Sequence, residues 1–238
     1  MSFDPAVGDL VRQLSRVGLR PEPRLVERIL ANGAAARPEL LKLAMHIEAL
    51  HDEDINKALG PLHALRLLGE VPDAAIIEPL LSNIPLEVYD DEDVPTQLYG
   101  AEILQIIARV GAPAIPILSA IADDPARSEM QRLAAVRALA YVAAYVPEVR
   151  DEVISFCRER MESVDLVSAA AAVLAELADK ESYQAIMAAY REGRIPQEYT
   201  PASAARQYLL GGGRKELNCV AHPLWERYDH HGPTFQNR

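Results

Sequence analysis

The chain has little cysteine: Cys157 and Cys219 are the only two among its 238 residues. Two distant cysteines do not make the disulfide framework of a small secreted domain, and thiols that stay reduced indicate a cytoplasmic location. The N-terminal residues lack a basic stretch followed by an apolar run, so we expect no signal peptide. No segment approaches the ~18 uninterrupted apolar residues of a membrane helix, so we expect no membrane span.

Basic residues are also few. The chain has 24 Lys and Arg against 35 Asp and Glu, which gives a net charge of −11. A surface that binds duplex nucleic acid needs basic residues to displace phosphate counterions, and an anionic membrane attracts the same residues. We therefore expect neither a nucleic acid nor a membrane as a partner. Aromatic residues make up only 5%, but apolar residues make up half of the chain, enough for a sizeable core.

A repeated apolar pattern indicates how that core is built. A Leu followed three residues later by another apolar residue recurs at intervals of 39, 35 and 35 residues. The repeated pairs are Leu65 with Leu68, Leu104 with Ile107, Leu139 with Val142, and Leu174 with Leu177. A period in this range is typical of stacked helix pairs, because one pair cannot bury its apolar faces alone. The pattern predicts an all-α protein, arranged as an α-solenoid.

Residues 110–143 resemble a HEAT-like repeat, the type also found in phycobilin-lyase-like subunits and in bacterial families of uncharacterised function. The motifs that carry the resemblance are the turn Gly111-Ala112-Pro113, the pair Asp123-Asp124, Arg132, and the run from Ala134-Ala135 to Ala138-Leu139. The resemblance implies about five antiparallel helix pairs. It also implies a structural Arg132 that ties neighbouring repeats together, and no shared catalytic residues. The equivalent positions of the other repeats are Ala58, Gln97 and Val167.

The chain is expected to have three segments. Residues 1–20 form an N-terminal capping helix, residues 21–193 form the HEAT-like solenoid, and residues 194–238 form a C-terminal extension. This extension contains Gly211, Gly212 and Gly213, and we interpret these three glycines as a flexible hinge.

Acidic residues cluster in the predicted turns between helix pairs, and we call this set the acidic edge. It comprises Tyr89, Asp90, Asp91, Glu92 and Asp93, together with Asp52, Glu53 and Asp54. A negative ridge of this kind would steer a basic segment of a partner protein. The alternative is local, since acidic residues before a helix cap its N-terminus and interact favourably with its dipole.

The C-terminal extension holds the remaining candidates. Trp225, Tyr228 and Phe235 need a place to be buried, either as a cap on the last repeat or as partner contacts on another chain. The weak candidates for a metal site are Cys219, His222, His230 and His231. They offer one short ligand spacing where a structural zinc site usually has two, so solvent-facing histidines explain them better.

No Gly-x-Ser-x-Gly elbow or phosphate-binding loop occurs in the sequence. We expect a non-catalytic protein-interaction scaffold without a cofactor, which binds a partner protein or peptide on its concave face or acidic edge. The resemblance implies an alternative, an enzyme-associated subunit of lyase or chaperone type that holds a target or chromophore. A second alternative is a metal-binding tail with a hydrolytic role. The identity of the partner and the oligomeric state stay open.

Overall fold

The computed structural model describes residues 6–84 and 94–233. Every regular element in these ranges is helical and none is a strand, so the prediction of an all-α protein is confirmed. The helices are α1 (Val7–Arg12), α2 (Pro23–Leu30), α3 (Arg37–Ala44), α4 (Ile55–Leu68), α5 (Ile77–Ser82), α6 (Val94–Ala108), α7 (Ala114–Asp123), α8 (Glu129–Tyr145), α9 (Arg150–Glu159), α10 (Val167–Glu176), α11 (Tyr183–Arg191), α12 (Ala202–Gly211) and α13 (Leu224–His231). Short 3-10 turns precede or follow many of them. The arrangement of the helices as a solenoid stays a prediction.

The contacts divide the chain into two compact units. Unit 1 comprises Met1–Ile107 and His222–Arg238, and unit 2 comprises Ala108–Ala221. The predicted boundaries lay after residues 20 and 193, whereas the units meet after residues 107 and 221. The expected C-terminal extension is split, because α12 packs against α10 in unit 2 while α13 belongs to unit 1.

The repeated apolar residues lie in the interiors of the two units. Seven of the eight are buried, and Leu104 is half-buried. Burial of a Leu or Ile side chain stabilises a fold by about 1.5–3 kcal/mol. The apolar period therefore located the helix faces that form the interior.

In unit 1, α4 is buried along most of its length, from Ala58 to Leu68. It begins at Asp54, whose side chain accepts a hydrogen bond from the backbone N–H of Asn56. Its neighbours include α3 and the 3-10 turns Gln13–Arg16 and Ile47–His51. The approach to the first of these turns is close, since a Cβ added at Gly60 would lie 2.5 Å from Ser15 Oγ and 3.3 Å from Ser15 Cα.

In unit 2, α8 packs against α7 and α10. The helix α8 begins with a capping box, in which the Ser128 and Gln131 side chains each bond the other residue's backbone N–H. The four consecutive alanines of α10, residues 169–172, are all buried and allow close helix contacts. Arg132 of α8 donates to the carbonyl of Ala122 and lies 3.0 Å from Asp165, so it joins the end of α7 to the turn before α10. These are contacts that a structural arginine makes.

The last glycine of the run Gly211–Gly213 packs against α10, in contrast to the flexible hinge that the sequence suggested. Gly212 has φ +91° and Gly213 has φ +94°, conformations in which a helix commonly ends at glycine. The backbone N–H of Gly213 donates to Tyr208 O, and that of Arg214 donates to Glu176 O, both at 2.8 Å. A Cβ on Gly213 would lie 2.5 Å from Glu176 O. Backbone pairing with α10 holds this segment.

We predict that Gly213→Ala destabilises unit 2. The left-handed conformation alone costs a non-glycine residue about 1–2 kcal/mol, and the contact of the new Cβ with a carbonyl oxygen adds to it. The expected loss in the free energy of unfolding is at least about 2 kcal/mol, measured by urea unfolding followed by circular dichroism.

Gly211→Ala is the matched control. Gly211 is the last residue of α12, and nothing lies within 4 Å of a Cβ placed there. We expect this change to be neutral or to stabilise by up to about 1 kcal/mol, as helical Gly→Ala changes do. Equal effects of the two substitutions would contradict the packed glycine run.

Candidate functional site

A cavity of about 560 Å³ opens in unit 1, and we call it the unit 1 groove. Residues of α1, the turn Gln13–Arg16, α3 and the start of α4 line it. The lining combines apolar, hydroxyl, amide and charged side chains: Val11, Leu43, Ser15, Asn56, His46, Arg12, Arg16, Lys42, Lys57, Glu39 and Asp54. A smaller cavity of about 240 Å³ shares Ser15, His46 and Lys57 with the groove. Ligand pockets in proteins measure about 300–1,000 Å³, so the groove has the size of a binding site.

Some of the charged side chains in the groove already have partners. Arg12 forms an ion pair with Asp9, and Lys57 Nζ lies 3.6 Å from Asp52 Oδ2. Asp54 caps α4. Arg16 and Lys42, in contrast, have no carboxylate within 4.0 Å among residues 6–84 and 94–233. These two cations are therefore available to a ligand.

The described part of the acidic edge serves α4 locally. Asp52, Glu53 and Asp54 are exposed in the turn before that helix. Asp52 Oδ1 accepts a hydrogen bond of 2.9 Å from the backbone N–H of Asp54, and Asp54 is the N-cap. Two of the three carboxylates thus satisfy backbone donors, as the capping alternative expects. Tyr89, Asp90, Asp91, Glu92 and Asp93 lie outside the described residues.

The tail aromatics contact the N-terminal half of the chain. Trp225 lies beside Arg20, whose guanidinium carbon is 5.0 Å from the ring centroid, and Arg20 also pairs with Asp229. Tyr228 is 5% exposed, and its hydroxyl lies 2.8 Å from His63 Nδ1. Tyr228 therefore exposes little surface to a partner protein, and a partner contact through the half-buried Trp225 stays a prediction. Phe235 lies outside the described residues.

The reason for this placement is a network of buried charges. Arg66 is 0% exposed and its Nε lies 3.0 Å from both carboxylate oxygens of Glu102. Its Nη1 donates to the carbonyl of Gly232 at 2.6 Å. Arg227, also 0% exposed, donates to Gln105 Oε1 at 2.9 Å. A buried guanidinium needs acceptors for its donors, and for Arg66 these are the carboxylate of Glu102 and the carbonyl of Gly232, the residue that follows α13.

Sequence reasoning missed this network, although a signal for it exists. Arg66 and Glu102 interrupt two of the repeated apolar segments, next to Leu65 and just before Leu104. Opposite charges in neighbouring apolar helices indicate a buried pair, because an isolated charge there would be costly.

His63 joins this network to the segment after the turn Gln13–Arg16. Its Nε2–H donates to the carbonyl of Gly18 at 2.8 Å, since a carbonyl can only accept. Its Nδ1 then accepts from the Tyr228 hydroxyl, so the ring is neutral. Burial lowers the pKa of His63 to about 4, because the charged form is poorly solvated; the hydrogen bond to Gly18 opposes this shift and the Arg66 charge adds to it.

Three of the four metal candidates lie within unit 1. His222, His230 and His231 lie near one another in unit 1, with His231 Nε2 3.3 Å from His222 Nδ1 and the His222 and His230 rings 5.9 Å apart. Burial lowers the pKa of His231. Cys219 belongs to unit 2. Across the described ranges, no group of three or more His, Cys, Asp or Glu residues is arranged to hold a metal ion.

Cys157 is buried in α9, and burial raises the pKa of its thiol to about 12, so the thiol stays protonated near neutral pH. In the part of the chain that the structure describes, no helix is long and apolar enough to cross a membrane.

We predict that unit 1 loses stability as the pH falls from 6.5 toward 4. The pKa of His63 in the folded state is below its unfolded value of 6.5, so the unfolded state binds more protons in this pH range. Acidification therefore lowers the free energy of unfolding. Between pH 7 and pH 5 the expected loss from this group is about 2 kcal/mol. Urea unfolding followed by fluorescence of Trp225, the only tryptophan, measures it.

His63→Gln should flatten that pH dependence by about the same amount. A glutamine can still donate to Gly18 and accept from Tyr228 but does not titrate. His46→Gln is the control, because His46 is exposed, and it should keep the dependence of the original protein. If the stability of His63→Gln shows the same pH dependence as the original protein, the assignment of His63 as a neutral buried side chain is wrong.

Comparison of the chain with family models, curated proteins and solved structures found no match. The HEAT-like resemblance therefore stays a prediction from the sequence motifs, and the function has to be inferred from the residues of the chain itself.

Proposed function

We propose that the protein is a non-catalytic protein-interaction scaffold and that the unit 1 groove binds a peptide segment of its partner. The observation that carries this proposal is the groove itself, a cavity of about 560 Å³ in unit 1. Its lining offers apolar contact at Leu43, and hydrogen-bonding groups at Ser15 and Asn56. A peptide needs both, since its backbone is polar and its side chains supply apolar area.

The predicted HEAT-like solenoid is part of the proposal. Repeat arrays expose extended surfaces that are used for binding other proteins. The spacing of the repeated leucines and the burial of seven of these eight residues support this arrangement.

The groove is a better binding site than the described part of the acidic edge. Asp52 and Asp54, of which Asp54 also lines the groove, are engaged by backbone N–H groups. Arg16 and Lys42 in the groove have no ion-pair partners among the described residues. We therefore place the partner in the groove.

The alternatives have less support. A subunit that holds a chromophore would need a deep apolar pocket ringed by tyrosine and histidine, but the groove is lined largely by charged residues and has His46 as its only histidine. A hydrolytic metal site in the tail would need a suitable set of ligands, and the described residues contain no such group.

Site-specific photo-crosslinking in the native host tests the proposal. We expect that a photoreactive phenylalanine analogue in place of Leu43, which lines the groove, crosslinks to a discrete set of other proteins. The same analogue in place of Leu210 is the control, because Leu210 is an exposed leucine of α12 in unit 2. Crosslinks of equal identity and strength from both positions, or none from Leu43, would show that the groove does not bind a partner.

A further inference from the structure

We propose that the unit 1 groove selects a partner segment that carries an acidic side chain, which is held between Arg16 and Lys42. This inference rests on the proposed function and specifies the chemistry of the segment. The acidic edge suggested a basic partner segment, whereas the groove favours an acidic one.

The first step is the availability of the two cations. Four cationic side chains line the groove, and two of them, Arg12 and Lys57, have acidic partners of their own. Arg16 and Lys42 line the same cavity and have no carboxylate within 4.0 Å in the described ranges. Other exposed cations such as Arg24 also have no such partner, but Arg24 does not line the groove. The convergence of two such cations on one cavity distinguishes the site.

The second step is the geometry that a guanidinium and an ammonium offer. Arginine can bind both oxygens of a carboxylate with two parallel hydrogen bonds, and lysine adds a compact positive charge. A side-chain carboxylate held between them would interact with both, whereas a neutral amide gains only ordinary hydrogen bonds. The pair therefore favours Glu or Asp over Gln or Asn.

The third step limits the number of negative charges in the ligand. Glu39 also lines the groove, and its Oε2 would lie 3.4 Å from a Cβ added at Gly8 on α1. This carboxylate repels a ligand that is negative along its whole length. Asp54, at the start of α4, adds a second negative charge to the lining. The groove thus fits one acidic residue and disfavours a polyanion.

The fourth step concerns the residues beside the acid. Val11 is buried and Leu43 is half-buried, and both line the cavity. Leu43, the less buried of the two, offers apolar area to an aliphatic side chain of the ligand. The expected segment therefore combines one acidic residue with a neighbouring aliphatic residue.

Selection from a random heptapeptide display library with the full-length protein tests this. We expect peptides with Glu or Asp next to Leu, Ile or Val to be enriched. Arg16→Gln and Lys42→Gln should remove that enrichment, while Arg24→Gln, the same loss of charge on α2 of unit 1, should keep it. Circular dichroism checks that each variant is folded, which we expect because all three side chains are exposed.

The affinity of one selected peptide then isolates the acidic contact. Fluorescence anisotropy should show binding about tenfold weaker when the peptide's acid is changed to its amide. Arg16→Gln should weaken the binding of the acidic peptide by a similar factor and leave the affinity for the amide peptide almost unchanged. Inorganic tripolyphosphate should compete poorly.

The outcomes separate the two proposals. Selected peptides that are neutral or basic but still compete for the groove would overturn the acidic preference and leave the scaffold proposal standing. Strong competition by tripolyphosphate would identify a general anion site instead. If no peptide is enriched, or if enriched peptides bind the triple variant Arg16→Gln, Lys42→Gln, Leu43→Glu as well as the original protein, both proposals fail.

Discussion

The need to satisfy a buried guanidinium organises unit 1. Arg66 lies in the last turn of α4 with no exposed surface, so each of its donors needs an acceptor inside the protein. Glu102 of α6 supplies two oxygens and the carbonyl of Gly232 supplies another. One side chain therefore ties two repeated segments to residues 166 positions further along the chain. Breaking such a buried pair on one side typically costs 3–5 kcal/mol, so the fixed position of α13 follows from the placement of this charge.

The groove depends on the same helix through a different contact. Gly60 of α4 has no side chain, and the turn Gln13–Arg16 can approach until Ser15 fills the space that a Cβ would need. His63, one turn later in α4, holds the carbonyl of Gly18 just beyond that turn. These two contacts fix the segment that carries Ser15 and Arg16. The α4 face that supports the groove and the α4 residues that hold the tail are thus parts of one continuous buried surface.

The features that could be predicted from the sequence are those set by local pattern. The Leu-x-x-apolar repeat identified buried helix faces, and Asp54 could be recognised as a helix cap before any coordinates. The position of α13 could not be predicted in this way, because Tyr228 and Arg227 show only that they need buried partners. Those partners, His63 and Gln105, are more than 100 residues away. The groove was missed for a similar reason: Arg16 and Lys42 are ordinary surface residues in sequence, and only the packing of α1, α3 and α4 places both of them on one cavity.

The division of unit 1 between two distant stretches of chain affects the order in which the protein can fold during synthesis. Unit 2 is one continuous stretch and is complete when Ala221 has left the ribosome. Unit 1 begins earlier but finishes later, since the Gly232 carbonyl that receives a hydrogen bond from Arg66 is made more than 100 residues after α4. Until then α4 carries a charged side chain without its full set of acceptors. The nascent N-terminal helices therefore form an incomplete core until α13 and Gly232 have been translated.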